Sequence, residues 1–217
     1  MNQSSKKLFF ASGTALACFA LWTLLVCIVD VGAIGPEGRT VGFSALNGAF
    51  HRFTGVHMWL YDLTDWLGLV PIAVALGFAC LGLFQLIRRR SLAKVDYSIF
   101  VLGGFYVVVL LAFLAFEVAI VNYRPILIEG VAEASYPSST TLLVTCVMPT
   151  AAMQLGERIK HSTLKRCVIL VIYAFLAFMV VGRLCSGVHW LTDIIGGALL
   201  SAGLVLLYAA LCRLRKD

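Results

Sequence analysis

Charge is scarce in this chain. Asp, Glu, Lys and Arg make up 13% of its 217 residues, while 61% are hydrophobic. A soluble domain averages about 25% charged and about 45–50% apolar residues. The shortage excludes an ordinary water-soluble globule and points to a polytopic membrane protein. Cysteine pairs at redox or metal-binding spacing are missing too. None of the seven cysteines (18, 27, 80, 146, 167, 185 and 212) forms a C-x-x-C pair, and most lie inside apolar runs. They read as small packing residues, so neither a zinc site nor a disulfide framework is expected, and no cofactor. Low-complexity tracts, long linkers and internal repeats are also absent, which leaves one domain over residues 1–217.

Long apolar runs are what the chain has. A spanning helix needs roughly 20 apolar residues. Runs at 8–31, 67–87, 99–121, 140–155, 168–181 and 190–211 predict an all-α bundle of six transmembrane helices. The first run is too long for a removed signal peptide and lacks a small-residue cleavage site. Thirteen of the 17 Lys and Arg residues lie before the first run, between runs two and three, between four and five, or after the sixth. Arg39, Arg52, Arg124 and Arg183 remain for the other side. The positive-inside rule then places both termini in the cytoplasm, expected here to be bacterial. The net charge of +6 is mostly this collar, so it implies no nucleic-acid partner.

Three loops then face outward: 32–66, 122–139 and 182–189. In the first, Phe43, Leu46, Phe50 and Phe53 recur at spacings of three and four, a helical apolar face. With Trp59, Tyr61 and Trp66 following, this predicts an interfacial helix on the outer surface that anchors the loop.

Polar residues gather at three helix mouths on the same side. Glu117, Arg124 and Pro125 stand in "EVAIVNYRP", and Pro137 to Thr140 in "YPSST". Arg183, His189 and Asp193 stand in "GRLCSGVHWLTD". Taken singly, these residues read as interfacial arginines, a helix cap and an ion pair. Taken together, they carry chemistry. His189 and Asp193 are four apart, a helical spacing that lets the carboxylate hold one imidazole nitrogen and leave the other basic. Arg124 and Arg183 offer forked donors to a tetrahedral oxyanion. The N–H groups of Ser138, Ser139 and Thr140 at a helix N-terminus would complete a phosphate cradle. A histidine, two arginines and such a terminus point to phosphoryl transfer through a phosphohistidine.

At these residues the chain resembles the type-2 phosphatidic acid phosphatases, the PAP2 family of membrane lipid phosphatases. That family carries the motifs K-x6-R-P, P-S-G-H and S-R-x5-H-x3-D. Arg124 and Pro125 match the end of the first, and Pro137 and Ser138 the start of the second. Arg183, His189 and Asp193 match the third at full spacing. The resemblance implies that His189 is the nucleophile and Asp193 its orienting partner. Arg124 and Arg183 would hold the phosphate with the amides after Pro137.

The chain also departs from the motifs. Glu117 stands in place of the motif lysine and reverses its charge. From helical rise, Glu117 is expected about 10 Å deeper than Arg124, on nearly the same face. Ser139 replaces the glycine, and Thr140 replaces the histidine that protonates the leaving group. Gly182 replaces the serine before Arg183. Loss of a general acid costs about 10²–10⁴-fold, and it costs less when the leaving group is itself a phosphate.

Two functions follow. One is an outward-facing phosphatase acting on a lipid phosphate or diphosphate, a prenyl diphosphate above all, in the bilayer. The alternative is a catalytically impaired PAP2-fold protein that binds or transports phospholipid or prenyl-phosphate headgroups. A haloperoxidase fits poorly, because those relatives are soluble and use the missing lysine and histidine. His51 and His57, in the outward segment, are candidates for the acid role if they fold over the site.

Overall fold

Helix α6 (Ser139–Arg158) is rich in threonine and is among the most enclosed elements of the molecule. In it 11 of 20 residues are buried, against four of 26 in α1 (Gln3–Ile28). The structure, a computed structural model, describes residues 3–215. Among these the chain runs through α1, then α2 (Ser44–Thr54), α3 (Met58–Leu67), α4 (Leu69–Arg89) and α5 (Tyr97–Val118). After α6 come α7 (Ser162–Cys185) and α8 (Leu191–Leu214). Helices α4, α5, α7 and α8 all contact α6, and α1 packs along α8.

Five segments are long and apolar enough to cross a membrane: Gln3–Ile28, Met58–Arg89, Tyr97–Val118, Ser162–Cys185 and Leu191–Leu214. The protein is an integral membrane protein with an all-helical fold. The expected span at 140–155 is helical, as α6, but it does not join these five. Surrounded by protein, it needs less apolar surface than a helix facing lipid. Thr150 returns its hydroxyl to the Cys146 and Val147 carbonyls, and Thr145 donates to Ser201 on α8.

Close approach brings α8 against its neighbours. A Cβ on Gly203 would lie 2.6 Å from the Leu16 side chain on α1. On Gly196 it would lie 2.6 Å from the Tyr136 ring. Small residues permit such contacts where no hydrophobic force separates helix from lipid.

The predicted second span is longer than expected. Helix α3 runs into α4 through Gly68, whose φ of −59° and ψ of −19° keep the helical turn going. With α2, more than half of the expected outer loop is therefore helical. Helix α2 has its polar side inward: Asn47 donates to the Gly42 carbonyl and to the Thr192 hydroxyl on α8. Leu46 and Phe53 point outward. The sequence pattern located this helix, and its exposed apolar face is the arrangement an interfacial helix requires.

Candidate active site

Between α5 and α6 the chain folds back on itself. Tyr123 pairs antiparallel with Ala134, and Ile128 with Val131, around a turn at Glu129 and Gly130. Arg124 N–H donates to the Glu133 carbonyl at 3.1 Å, and Ser135 N–H to the Asn122 carbonyl at 2.9 Å. The indole of Trp190, just before α8, donates to the Tyr123 carbonyl at 2.7 Å. This short hairpin delivers Asn122, Arg124 and Ser135 to the mouth of α8.

Asp193 is fully buried there and accepts three hydrogen bonds. Oδ2 takes the Trp190 N–H at 2.9 Å and the Ser135 hydroxyl; Oδ1 takes the Asn122 amide at 3.2 Å. His189 Nδ1 is 3.9 Å from Oδ2, too far for a hydrogen bond. The expected direct pairing at helical spacing does not form, because α8 begins only at Leu191 and His189 precedes it. Ser135 Oγ fills the gap, 3.1 Å from Nδ1.

Donor logic fixes the tautomer. Arg124 Nη1 lies 3.3 Å from His189 Nε2, and a guanidinium only donates. Nε2 is therefore the unprotonated nitrogen. Nδ1–H donates to Ser135 Oγ, whose own proton goes to Asp193. Burial pushes the His189 imidazole down to about 4, with Arg124 and Arg183 adding to the fall and Asp193 opposing it. His189 is thus a neutral base at ordinary pH.

The arginines come from different elements, Arg124 from the hairpin and Arg183 from α7. Arg183, in the last turn of α7, is 1% exposed and reaches α3. It donates to the Tyr61 carbonyl at 3.2 Å, to Thr64 Oγ1 at 3.3 Å and to Asp65 Oδ1 at 3.1 Å. The Tyr61 ring lies 4.7 Å from the Arg183 guanidinium carbon and 5.7 Å from that of Arg124. Arg124 Nε is 2.9 Å from Glu133 Oε2, yet its N–H is not aimed at that oxygen. The buried Nε–H groups of Arg124 and Arg183 both lack a hydrogen-bond acceptor. An unsatisfied buried donor costs about 1–3 kcal/mol, so Arg183 Nε–H invites an acceptor, while Arg124 Nε already lies beside the Glu133 carboxylate.

The second motif behaves differently from expectation. The Ser138 N–H donates to the Asp193 carbonyl at 3.1 Å, and its hydroxyl caps Thr141 N at 3.4 Å. Ser138 therefore ties α6 to α8 and has no amide to offer a phosphate. Ser139 and Thr140 occupy the first two helical positions, where a helix has N–H groups to spare.

Glu117 is corrected as well. Helix α5 ends at Val118, so Glu117 and Arg124 share no helix and the estimate from helical rise fails. Glu117 is exposed, has no partner among the described residues, and lines a crevice with Ser135, Pro137 and Ser139.

His51 and His57 do lie against the third-motif loop. His51 Nε2 hydrogen-bonds the Gly187 carbonyl at 3.1 Å, and the His57 backbone N–H donates to Ser186. Gly187 has a φ of +72°, and a Cβ there would sit 2.0 Å from the Gly55 carbonyl oxygen. Only glycine fits this crossing. With Nε2 bound to a carbonyl, His51 has that proton committed; His57 Nε2 is held likewise by the Thr54 carbonyl.

Sequence reasoning missed Ser135, Asn122, Tyr61 and Asp65. The one local signal was alternation: Asn122 and Arg124 on one hairpin strand share a side, as do Glu133 and Ser135 on the other.

Residues 117–216, which contain all three motif regions, match the model of the PAP2 superfamily. Over this stretch the chain is similar to the PAP2 superfamily. The whole fold is similar to the crystal structure of a transmembrane PAP2-type phosphatidylglycerolphosphate phosphatase from Bacillus subtilis. The TM-score is 0.63 at 18% identity, covering 92% of this chain and 94% of that one. That likeness establishes the PAP2 fold beyond the matched stretch, including α1 to α4. No curated protein sequence matches the chain.

Proposed function

We propose that this protein is a PAP2-type lipid phosphatase that works through a phosphohistidine on the extracytoplasmic side of the membrane. The observation that carries the proposal is His189: a neutral imidazole with Nε2 unprotonated and facing the Arg124 guanidinium.

In this mechanism the phosphate of a lipid enters between Arg124 and Arg183. Arg124 shifts its donor from Nε2 to a phosphate oxygen, which frees the nitrogen lone pair. Nε2 attacks phosphorus, and the bond from phosphorus to the leaving oxygen breaks. The imidazole gains positive character, which Asp193 stabilises through Ser135. Both arginines stabilise charge on the equatorial oxygens. Water then hydrolyses the phosphohistidine, releasing inorganic phosphate and restoring His189.

Thr140 sets the preferred substrate. A hydroxyl cannot protonate an alkoxide leaving group near neutral pH, whereas a departing phosphate needs no such proton. Diphosphate lipids, prenyl diphosphates among them, are therefore favoured over monoesters.

A second function, headgroup binding or transport without turnover, draws on one feature. His189, Arg124 and Arg183 are only 3, 8 and 1% exposed, and Arg183 already has Asp65 as a counter-ion. Phosphate release from a prenyl diphosphate and from phosphatidic acid, with His189→Ala alongside, separates the two. Turnover of a diphosphate lost in the variant supports the phosphatase. A wild-type rate equal to that of His189→Ala leaves only the binder.

A further inference from the structure

The ends of α4 and α5 away from His189 carry a built surface that phosphatase chemistry does not use. A groove of about 450 Å³ runs between the two helices, lined by Phe78, Leu86, Leu102, Gly103 and Gly104 among others. Val95 lines it too, and Val95 also lines a second cavity of about 520 Å³ that contains Arg89, Lys94, Asp96, Tyr97 and Arg215. The two therefore adjoin at Val95, with the apolar cavity along the helices and the basic one at their end.

The basic end has cations to spare. Among the described residues lining it, Asp96 is the one carboxylate, and it is already engaged: Arg89 donates to it at 2.9 Å, Gln85 at 2.8 Å, and Arg158 lies 3.7 Å away. The Lys94 ammonium has no partner among the described residues, and the Arg215 guanidinium lies over the Tyr97 ring at 5.5 Å. Gly103 and Gly104 account for the groove. Glycine is a poor helix former, and helix packing does not require it here, since an added Cβ at either position meets nothing within 4 Å. What the two glycines provide is an open floor beside Phe100 and Leu102.

We propose that this surface binds one anionic phospholipid, with an acyl chain in the α4–α5 groove and its phosphate against Lys94 and Arg215. An apolar length continuous with a cationic end is complementary to an amphiphile with an anionic head, and basic pockets beside membrane helices hold such heads. The site lies at the far end of the helices from Arg124 and Arg183, so it is separate from the phosphate site around His189.

The full chain in detergent can be titrated with dioleoylphosphatidylglycerol, dioleoylphosphatidylcholine and inorganic phosphate, with bound lipid counted by native mass spectrometry. Phosphatidylglycerol should bind more tightly than phosphatidylcholine, and millimolar phosphate should not displace it. Lys94→Gln with Arg215→Gln should weaken phosphatidylglycerol binding by about thirtyfold, from the worth of two juxtamembrane cations. Gly104→Leu should fill the groove and weaken binding without lowering the thermal midpoint. Equal affinity for the two lipids overturns the proposal, as does displacement by free phosphate. So does unchanged phosphatidylglycerol binding in both variants. If one variant fails to fold, the other decides.

Discussion

Ser135 Oγ stands between the His189 imidazole and the Asp193 carboxylate, accepting from the first and donating to the second. The hydroxyl converts a 3.9 Å gap into a two-step hydrogen-bonded chain. Ser135→Ala should leave Nδ1–H and one carboxylate oxygen short of partners. The expected loss in kcat is on the order of 10- to 100-fold, by analogy with hydrogen-bond partners of metal-bound histidines. KM should change little, since Ser135 is not placed on the phosphate. Ser135→Thr keeps the hydroxyl and should recover much of the rate. Steady-state kinetics on a diphosphate lipid checks this; equal rates for wild type and Ser135→Ala would remove Ser135 from the chain.

Arg183 is held by Asp65 when no substrate is present. An incoming phosphate must compete with that carboxylate. Asp65 is 60% exposed on its side chain, so the pair is partly screened, and exposed pairs contribute up to about 1 kcal/mol. Asp65→Asn should therefore lower KM for an anionic lipid by no more than about fivefold and leave kcat nearly unchanged. A raised KM would show that Asp65 positions Arg183 rather than competing for it.

The third motif was legible because its residues lie within one short segment and its spacing is fixed along the chain. The partners were not, because long-range folding chooses them. Ser135 meets Asp193 across 58 positions, and Asp65 meets Arg183 across 118. No periodicity in "WLYDLTDWL" distinguishes Asp65 from Asp62, and only the packing of α3 on α7 does so. Helix α6 shows the opposite case. Its apolar run reads as a span, while its threonines reflect protein neighbours that a linear pattern does not reveal.

The depressed titration of His189 gives a pH test. An unfolded imidazole titrates near 6.5, and in the fold burial holds it near 4. Between these values the unfolded chain takes up a proton that the folded chain excludes, so the contribution of His189 to stability is present above 6.5 and falls as pH drops toward 4. Thermal midpoints of wild type should decline more steeply than those of His189→Gln across this window. Parallel curves would mean that His189 titrates normally in the fold.

The side of the membrane is open to direct test. Val131 is 61% exposed at the tip of the hairpin that holds Arg124. It suits a labelling cysteine better than Gly130, whose φ of +78° disfavours any side chain. In a background with the native cysteines replaced, Val131→Cys should react with an impermeant maleimide in intact cells. Reaction only after permeabilisation would place the site on the cytoplasmic side.

In the proposed mechanism Thr140 governs the choice of substrate. It occupies the second position of α6 and is 9% exposed, in the turn that follows Pro137. Thr140→His would supply a group able to protonate an alkoxide, so the rate on phosphatidic acid should rise while the rate on a diphosphate lipid changes less. General acid catalysis sets the ceiling at about 10²–10⁴-fold. Ser139→Gly, made with it, removes a Cβ that crowds the new ring. Glu117→Lys should add to the effect from the crevice beside Ser135 and Pro137, by attraction to the phosphate. The measured quantity is the ratio of monoester to diphosphate turnover. A higher ratio in Thr140→His identifies the missing acid as the source of the preference. An unchanged ratio in a triple variant that folds and binds phosphate would mean that this turn does not reach the leaving group, and that selectivity comes from elsewhere in the site.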